Sequence, residues 1–257
     1  MPYLHKITVY PIKSLDGVEV VSSTITEGGA LYLDRAFTLR NSEGRVVNAK
    51  RFPTLQRVRA QYELKDMRVK FQLQKEVCSY NLEEDTAHIE AFFSDFLKEE
   101  VKLDKNLNTG FPDDDENSGP TLVSTQTLEE VQAWFPHLSI DNLRMRFRAN
   151  LELTDYPEPF WEDRLLAHPG IHRKFGLGEV ELIGKQPCAR CAVPARDPFS
   201  GENDRGFMQK FINLRKKHFP PFANEAQFDH FYRLCVNSFI PGTETGKILK
   251  VGDTLLE

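Results

Sequence analysis

The sequence lacks the marks of several large protein classes. No apolar run approaches the ~18 residues that a membrane-spanning helix requires, and residues 1–14 show no signal-peptide pattern. We therefore expect a cytoplasmic protein without a membrane span. Four cysteines among 257 residues are too few for a disulfide scaffold, so we expect reduced thiols. The net charge of −5 argues against nucleic-acid binding, for which a basic chain is usual.

Common catalytic motifs are absent as well. The chain has no P-loop and no glycine-rich dinucleotide motif, no nucleophile elbow and no histidine pair in zinc-protease spacing. His168 and His172 are four residues apart, but Pro169 and Gly170 between them argue against a shared helical face. We interpret these two as surface histidines. Iron–sulfur cysteine spacing and a flavin fingerprint are also missing.

What the chain does contain is enough apolar material for one large domain or two small ones, at 40% hydrophobic residues. The first 80 residues consist mostly of short segments with alternating or β-branched patterns. These predicted strands cover residues 3–9, 18–26, 36–40, 45–48, 55–63 and 68–73. Their close spacing predicts a barrel or a curled sheet.

The pattern changes after residue 82. Helical spacing of apolar residues predicts helices at 87–97, 207–217 and 226–232. A capping box of Thr127 and Glu130 predicts another helix that runs to Phe135. Further strands are predicted at 101–103, 178–183, 234–240 and, in two pieces, 246–256. The fold class that follows is mainly β with added helices (α+β).

Residues 106–120 form the most polar, turn-rich segment, which is a linker or a functional loop. It contains the acidic run Asp113 to Glu116. A calcium loop spaces its oxygen ligands at alternate positions and includes a glycine, which this run does not do. We therefore favour a solvated loop over a hard-metal site.

Residues 143–153 alternate and are predicted to form a strand, with Arg144, Arg146 and Arg148 on one face. Three arginines on one strand face have two readings. They solubilise the protein if that face is exposed, and they bind an anion such as phosphate if it faces a cavity.

Cys188 and Cys191 stand in a C-x-x-C spacing, and Pro187 precedes them. A zinc site would need two more ligands, and no second paired spacing occurs. A thioredoxin-like pair would open a helix, but Pro194 and Pro198 follow closely. Two inert buried thiols remain an alternative. The last reading is a thiolate that ligates a soft transition metal or a metal cofactor.

Five short motifs, taken together, resemble the MOSC family in the order of that family's own motifs. They are Tyr10-Pro11-Ile12-Lys13-Ser14 with Gly17, Asp34-Arg35, Phe147-Arg148-Ala149-Asn150, Cys188-Ala189-Arg190-Cys191 with Asp197-Pro198 and Gly201, and Val251-Gly252-Asp253. The resemblance covers essentially the whole chain. It implies an N-terminal β-barrel-like domain at 1–105, packed on a MOSC β-barrel with peripheral helices at 106–257.

The resemblance also implies a molybdenum cofactor held between the two domains. Cys191 would be the catalytic residue and the molybdenum ligand. The cofactor-binding residues that it implies are Lys13, Ser14, Arg35, Ser118, Arg148, Asn150, Arg190 and Asn237. Lys and Arg suit a phosphate by their charge and donor geometry, and a thiolate suits a soft metal. The family's F-R-P-N proline is Ala149 here.

The family includes the mitochondrial amidoxime reducing component and the C-terminal domain of molybdenum cofactor sulfurase. The expected function is two-electron reduction of small N-hydroxylated compounds. Electrons would come from a separate protein, such as a reductase, a ferredoxin-like protein or a cytochrome b5-like protein. One alternative is a carrier that delivers the cofactor or sulfur without turnover of its own. Another is a barrel protein with structural cysteines that binds an unrelated phosphorylated ligand. Pro194 and Arg196 replace the more usual residues after the second cysteine and are expected near the substrate mouth.

Overall fold

The computed structural model describes residues 1–113 and 118–256. Within these ranges, four α-helices and several β-sheets form the mixed α and β fold that the sequence predicted. The strands are β1 (Tyr3–Val9), β2 (Val18–Val20), β3 (Ser22–Thr24), β4 (Phe37–Asn41), β5 (Val46–Val47), β6 (Arg59–Glu63), β7 (Arg68–Leu73), β8 (Glu76–Asn81), β9 (Val101–Lys105), β10 (Thr121–Ser124), β11 (Leu151–Thr154), β12 (Arg173–Leu177), β13 (Val180–Ala189), β14 (Arg233–Phe239), β15 (Ile248–Lys250) and β16 (Leu255–Leu256). The α-helices are α1 (Thr86–Leu97), α2 (Thr125–Trp134), α3 (Ile140–Phe147) and α4 (Phe207–Lys217).

The largest sheet joins the two ends of the chain. Its eight strands lie in the order β16-β12-β13-β14-β10-β11-β1-β2. β1 pairs antiparallel with β11, and the N–H of Thr8 donates to the carbonyl oxygen of Asn150 at 2.7 Å. The residues that follow β1 therefore lie beside the residues that precede β11, although about 140 positions separate them in the sequence.

The N-terminal region has a core of its own. Two three-stranded sheets, β5-β4-β9 and β6-β7-β8, share this core with α1. Phe71 of β7 packs edge-on against Phe93 of α1, with ring centroids 5.1 Å apart. Ile89 and Phe93 are four residues apart and both buried, which is the helical spacing that predicted α1.

A second apolar layer packs α2, α3 and α4 against the large sheet. Phe207 and Phe211 of α4 lie on one helix face and are fully buried. Trp134 of α2 contacts the Phe211 ring edge-on, at a centroid distance of 5.6 Å. The predicted helix at 207–217 is confirmed. No helix in the described part of the chain is long and apolar enough to cross a membrane.

The predicted strand at 143–153 is wrong in its first half. Residues 140–147 form α3, which Ser139 caps by accepting the N–H of Asn142 at 3.1 Å. Leu143 and Phe147 have both helical and alternating spacing, so a short stretch satisfies either period, and burial of these two residues together selects the helix.

The three arginines consequently do not share a strand face. Arg144 pairs with Glu152, at 2.8 Å, and with Asp141. Arg146 is buried and reaches Asp204 at 3.2 Å. Arg148 ends α3 in a left-handed conformation.

Four further elements differ from the sequence predictions. The predicted strand at 55–63 begins as a 3₁₀ turn, Pro53–Arg57, and the strand is Arg59–Glu63. The predicted strand at 18–26 is two strands, because β2 pairs with β1 whereas β3 pairs with β15. The N-cap of α2 is Ser124, whose hydroxyl accepts the N–H of Thr127, so the helix begins before the predicted capping box. Residues 226–232 contain only a short 3₁₀ turn at Glu225–Gln227. Phe228 packs edge-on against Phe219 there, which fixes an irregular chain instead of a helix.

Candidate functional site

A cavity of about 580 Å³ is lined by residues from both halves of the chain. Every site residue predicted from the sequence lines it except Ser118. These lining residues are Lys13, Ser14, Arg35, Arg148, Asn150, Arg190, Cys191 and Asn237. The large sheet accounts for the convergence, because it brings the end of β1, the end of α3 and the loop after β13 to one place.

Ser118 lies outside this lining. Its hydroxyl donates a hydrogen bond to the carbonyl oxygen of Gly28. The next residue, Gly119, does line the cavity, and an added Cβ there would lie 2.2 Å from the carbonyl oxygen of Ser238. Gly119 is therefore the residue of this segment that lines the cavity, while the hydrogen bond of Ser118 holds the segment against the loop that contains Gly28. A cofactor contact by Ser118 stays a prediction.

Three polar residues of the lining have left-handed backbone conformations. Their φ angles are 72° at Ser14, 51° at Arg35 and 52° at Arg148. This region costs an L-residue roughly 1–2 kcal/mol, and such residues cluster at functional sites. Arg148 is held there as the C-cap of α3, with its N–H donating to the carbonyl oxygen of Arg144 at 2.8 Å.

Lys13 lines the cavity, and its ammonium group is fully hydrogen-bonded. Its ammonium group donates to the carbonyl oxygens of Phe111 and Pro112, both at 2.8 Å, and pairs with Asp113 at 2.8 Å. Burial lowers the pKa of Lys13. Burial also opposes charge on Asp113, but the attraction of Lys13 and of nearby cations outweighs it and lowers the pKa of Asp113 to about 2. The Asp113 carboxylate is therefore charged at neutral pH.

The side chains of Arg35 and Asn150 are hydrogen-bonded to each other near Lys13. The guanidinium of Arg35 donates to the side-chain oxygen of Asn150 at 3.3 Å and pairs with the buried Asp34. Asp34 in turn accepts the N–H of Tyr10 at 2.9 Å, and the Asn150 amide donates to the carbonyl oxygen of Thr8 at 3.0 Å. Asn150 therefore fixes Arg35 and the backbone of β1.

Two cationic side chains of the described lining have no hydrogen bond or ion pair, the exposed Lys50 and Arg148. The guanidinium of Arg148 stacks over the Tyr10 ring, 4.0 Å from the centroid. Among the described residues it has no hydrogen bond or ion pair, and burial lowers its pKa because no paired carboxylate compensates. The Ser14 hydroxyl accepts the N–H of Ala49 at 3.1 Å, which leaves its own hydrogen free to donate. Arg148 and Ser14 are thus among the donors that an anion in this cavity would meet.

The two cysteines of the C-x-x-C pair are not equivalent. Both are free and half-buried, and both line the cavity. The backbone N–H of Val193 donates to the sulfur of Cys191 at 3.5 Å. The sulfur of Cys188 instead faces the carbonyl oxygen of Ala189, at 3.9 Å. The sulfur of Cys191 therefore has an N–H donor beside it, whereas the sulfur of Cys188 faces an acceptor.

Arg190, between the two cysteines, braces the loop. Its guanidinium donates to the carbonyl oxygen of Leu234 at 2.9 Å through Nε and to that of Phe147 at 2.9 Å through Nη1. It therefore ties the cysteine loop to β14 and to the end of α3. Beside it lies the buried Cys235, whose φ is 70° and whose pKa burial raises to about 12. Sequence reasoning gave Cys235 no role, and its spacing offers no signal for one.

The loop that follows the cysteines is fastened to the N-terminal region. Asp197 accepts the N–H groups of Phe199 and Ser200, at 3.0 and 2.8 Å. Gly201 has a φ of 77°, and a Cβ there would lie 2.3 Å from the carbonyl oxygen of Pro53. Arg196 donates to the carbonyl oxygen of Ala49. Of the two residues expected near a substrate mouth, Pro194 lines the cavity and Arg196 does not.

Two contributors to the cavity were missed by the sequence reasoning. Asp113 pairs with Lys13, and Arg59 bonds to both Asp16 and the carbonyl oxygen of Pro198, the latter at 2.7 Å. All these contacts cross between distant segments of the chain. Neither spacing nor composition carries a signal for them.

Other readings of the motifs fare less well. Among the described residues, no group of three or more His, Cys, Asp or Glu side chains is arranged to hold a metal ion, which argues against a zinc site. Cys191 is followed by a short 3₁₀ turn, Val193–Ala195, and not by the α-helix of a thioredoxin-like pair. His168 and His172 bond separately to Asn224 and Lys185. Asp114, Asp115 and Glu116 of the acidic run lie outside the described residues.

Comparison with known families agrees with this geometry. A profile described as "MOSC N-terminal beta barrel domain" matches residues 1–138, and one described as "MOSC domain" matches residues 119–255. MOSC domains are associated with proteins that bind the molybdenum cofactor. A search among curated proteins returned no significant match. Since each profile covers more than half of the chain, the protein belongs to the MOSC family, with an N-terminal β-barrel domain ahead of the MOSC domain.

Proposed function

We propose that this protein is a molybdenum-cofactor-dependent oxidoreductase that reduces N-hydroxylated compounds by two electrons. The observation that carries the proposal is one cavity lined by two chemically different groups. They are the guanidinium of Arg148, which is unpaired among the described residues, and the free thiol of Cys191. A guanidinium suits a phosphate and a thiolate suits a soft metal. The molybdenum cofactor, a pterin with a phosphate and a metal, combines both requirements.

The residues present fit this cofactor. Arg148 and Ser14, supported by Lys13 and Arg35, would hold the phosphate and the pterin, and Cys191 would ligate the molybdenum. The bound cofactor would supply two-electron reduction of a nitrogen–oxygen bond. The protein's own contribution is to position the ligand, and the left-handed backbone at the three polar residues supports that role, because the fold holds them there at an energetic cost.

The reaction converts an N–OH group to N–H and water, and it consumes two electrons and two protons. The sequence contains neither an iron–sulfur cysteine set nor a flavin fingerprint. We therefore propose a separate electron-donor protein, of the reductase, ferredoxin-like or cytochrome b5-like kind. Val193 and Pro194, which follow the ligating cysteine and line the cavity, would shape the space for the substrate.

We propose the domain division at residues 105 and 106, which the overlapping family matches leave open. The N-terminal core uses residues between Ile12 and Val101, and β9 ends at Lys105. The following segment runs to β10 without a strand or helix in its described residues. Limited proteolysis followed by mass spectrometry tests the division, with first cleavage expected between residues 105 and 120.

Turnover of benzamidoxime by cofactor-loaded protein tests the proposed activity. The protein is expressed in a host that makes the cofactor, and a chemical donor such as reduced methyl viologen supplies the electrons. We expect benzamidine to form, Cys191→Ser to abolish its formation, and Cys188→Ser to retain a measurable fraction of the activity.

Two results would contradict the proposal. Loaded protein that does not turn over any N-hydroxylated compound would favour the carrier function. Equal loss in the two cysteine variants would remove the assignment of Cys191 as the single ligand.

A further inference from the structure

Lys13 has no donor left for a ligand. An ammonium group has three N–H donors, and three acceptors surround Lys13 at 2.8 Å each: two backbone carbonyl oxygens and the Asp113 carboxylate. The Lys13 side chain is only 10% exposed, so it has little room to turn toward a fourth partner. An anion can reach Lys13 only if one of the three acceptors leaves.

Asp113 is the acceptor that can leave. Its side chain is 63% exposed, so it sits at the rim of the cavity with water available to it once it departs. The two carbonyl oxygens belong to the backbone of Phe111 and Pro112, and the Phe111 N–H is itself bonded to the carbonyl oxygen of Arg35 at 2.9 Å. Moving either carbonyl requires the backbone to move, whereas moving the carboxylate needs only a side-chain rotation.

An incoming anion would also be repelled by Asp113 and would compete with it for Lys13. The Asp113 carboxylate is negatively charged, as a phosphate is, and lines the same cavity. Its field acts on Lys13 and on Arg35, which are close enough to each other that their like charges repel. A carboxylate at this point neutralises part of that repulsion when no ligand is bound, and it competes with a ligand of the same sign.

We propose that Asp113 is an internal counter-ion that occupies the phosphate-binding position of Lys13 and must be displaced when a phosphate-bearing ligand binds. This proposal rests on the proposed function only in one respect, which is that Lys13, Arg148 and Ser14 are taken as the residues that bind a phosphate. The consequence is that the site selects among anions by their charge. Weak monoanions do not displace the carboxylate, whereas a phosphate dianion does so by bonding to Lys13, Arg148 and Ser14 together.

Binding of inorganic phosphate to the cofactor-free protein tests the proposal, by calorimetry at fixed ionic strength. We expect Asp113→Asn to tighten phosphate binding about tenfold, which corresponds to ~1.4 kcal/mol. In a Lys13→Met background the same substitution should change the affinity less than about twofold, since the competition acts through Lys13.

Asp141→Asn is the matched control. Asp141 also lines the cavity, is 83% exposed and pairs with Arg144, so its removal changes the net charge equally without touching Lys13. We expect that control to bind phosphate as the wild type does. Thermal unfolding of each variant checks that the fold is retained.

The outcomes separate the two proposals. If Arg148→Ala weakens phosphate binding but Asp113→Asn leaves it unchanged, the counter-ion proposal is overturned, while the assignment of phosphate binding to this cavity is retained. If no protein binds phosphate, or if Asp113→Asn and Asp141→Asn tighten it equally, the counter-ion proposal is also overturned. A tighter Asp113→Asn variant in a protein that never acquires molybdenum would support the counter-ion and contradict the proposed function.

Discussion

Glu162 is a buried carboxylate that should make the stability of the fold depend on pH. It lies in the 3₁₀ turn Trp161–Leu165 and is 1% exposed. Its Oε2 accepts hydrogen bonds from the hydroxyls of Ser124 at 2.8 Å and Thr127 at 2.9 Å. Burial raises the pKa of Glu162 to about 7, and the negative charge of the neighbouring Asp163 adds to this effect.

The magnitude follows from linkage between protonation and folding. The pKa rises from 4.5 to about 7, and one pKa unit corresponds to about 1.4 kcal/mol, so the effect amounts to about 3 kcal/mol. Between these two pH values the folded state holds a proton that the unfolded chain has released. The stabilisation is therefore complete below pH 4.5 and is lost as the pH rises through about 7.

Substitution Glu162→Gln removes the titration and keeps an oxygen that can accept both hydroxyl hydrogen bonds. Urea unfolding of wild type and variant at a series of pH values gives the difference in unfolding free energy. We expect the two proteins to be close in stability at low pH. Above pH 7 the variant should be the more stable by about 3 kcal/mol.

Parallel curves for the two proteins over the whole pH range would refute this reasoning. Glu158→Gln serves as the control, because it removes a carboxylate from the same segment at a partly exposed position, where Arg164 is its partner. A pH-dependent gain as large in that control would show that loss of any negative charge in the segment, and not burial of Glu162, produces the effect.

Two further pairs of variants test the backbone account of the site. Arg148→Gly should be more stable to unfolding than Arg148→Ala by about 1 kcal/mol, because both lose the guanidinium and only glycine relieves the left-handed backbone; equal stability would contradict the assigned strain. Gly201→Ala should destabilise the protein by at least about 1 kcal/mol more than Gly206→Ala. Both glycines have positive φ, but only at Gly201 would the new Cβ meet the backbone of Pro53. Thermal unfolding measures both pairs, and similar losses at the two glycines would argue against tight docking of the loop.

Much of the site was predictable because its residues are tied to sequence motifs. Lys13, Ser14 and Arg35 follow the first strand, and Cys191 follows a long strand that delivers it to the cavity. The long amphipathic helices were predictable for a related reason, since four-residue spacing repeated over three turns cannot be mistaken for a strand.

The remainder depends on contacts that cross the chain. At residues 143–147, alternation and helical spacing coincide, and only packing against α4 decides between them. The pairing of Lys13 with Asp113 joins positions 100 residues apart, and the brace from Arg190 to Leu234 spans 44. Such pairings follow from sheet order and register, which a single sequence does not specify.

The molybdenum content of purified protein tests the central claim most directly. Wild type, Cys188→Ser and Cys191→Ser are expressed in a host that makes the cofactor, and the metal is measured per chain by mass spectrometry, together with the pterin. The cavity and its thiol predict that wild type and Cys188→Ser carry molybdenum and pterin in equal amounts. In Cys191→Ser, the metal should be reduced or easily lost. Wild-type protein without molybdenum, or a Cys191→Ser variant that retains it as firmly as the wild type, would contradict the assignment of this cavity as the cofactor site.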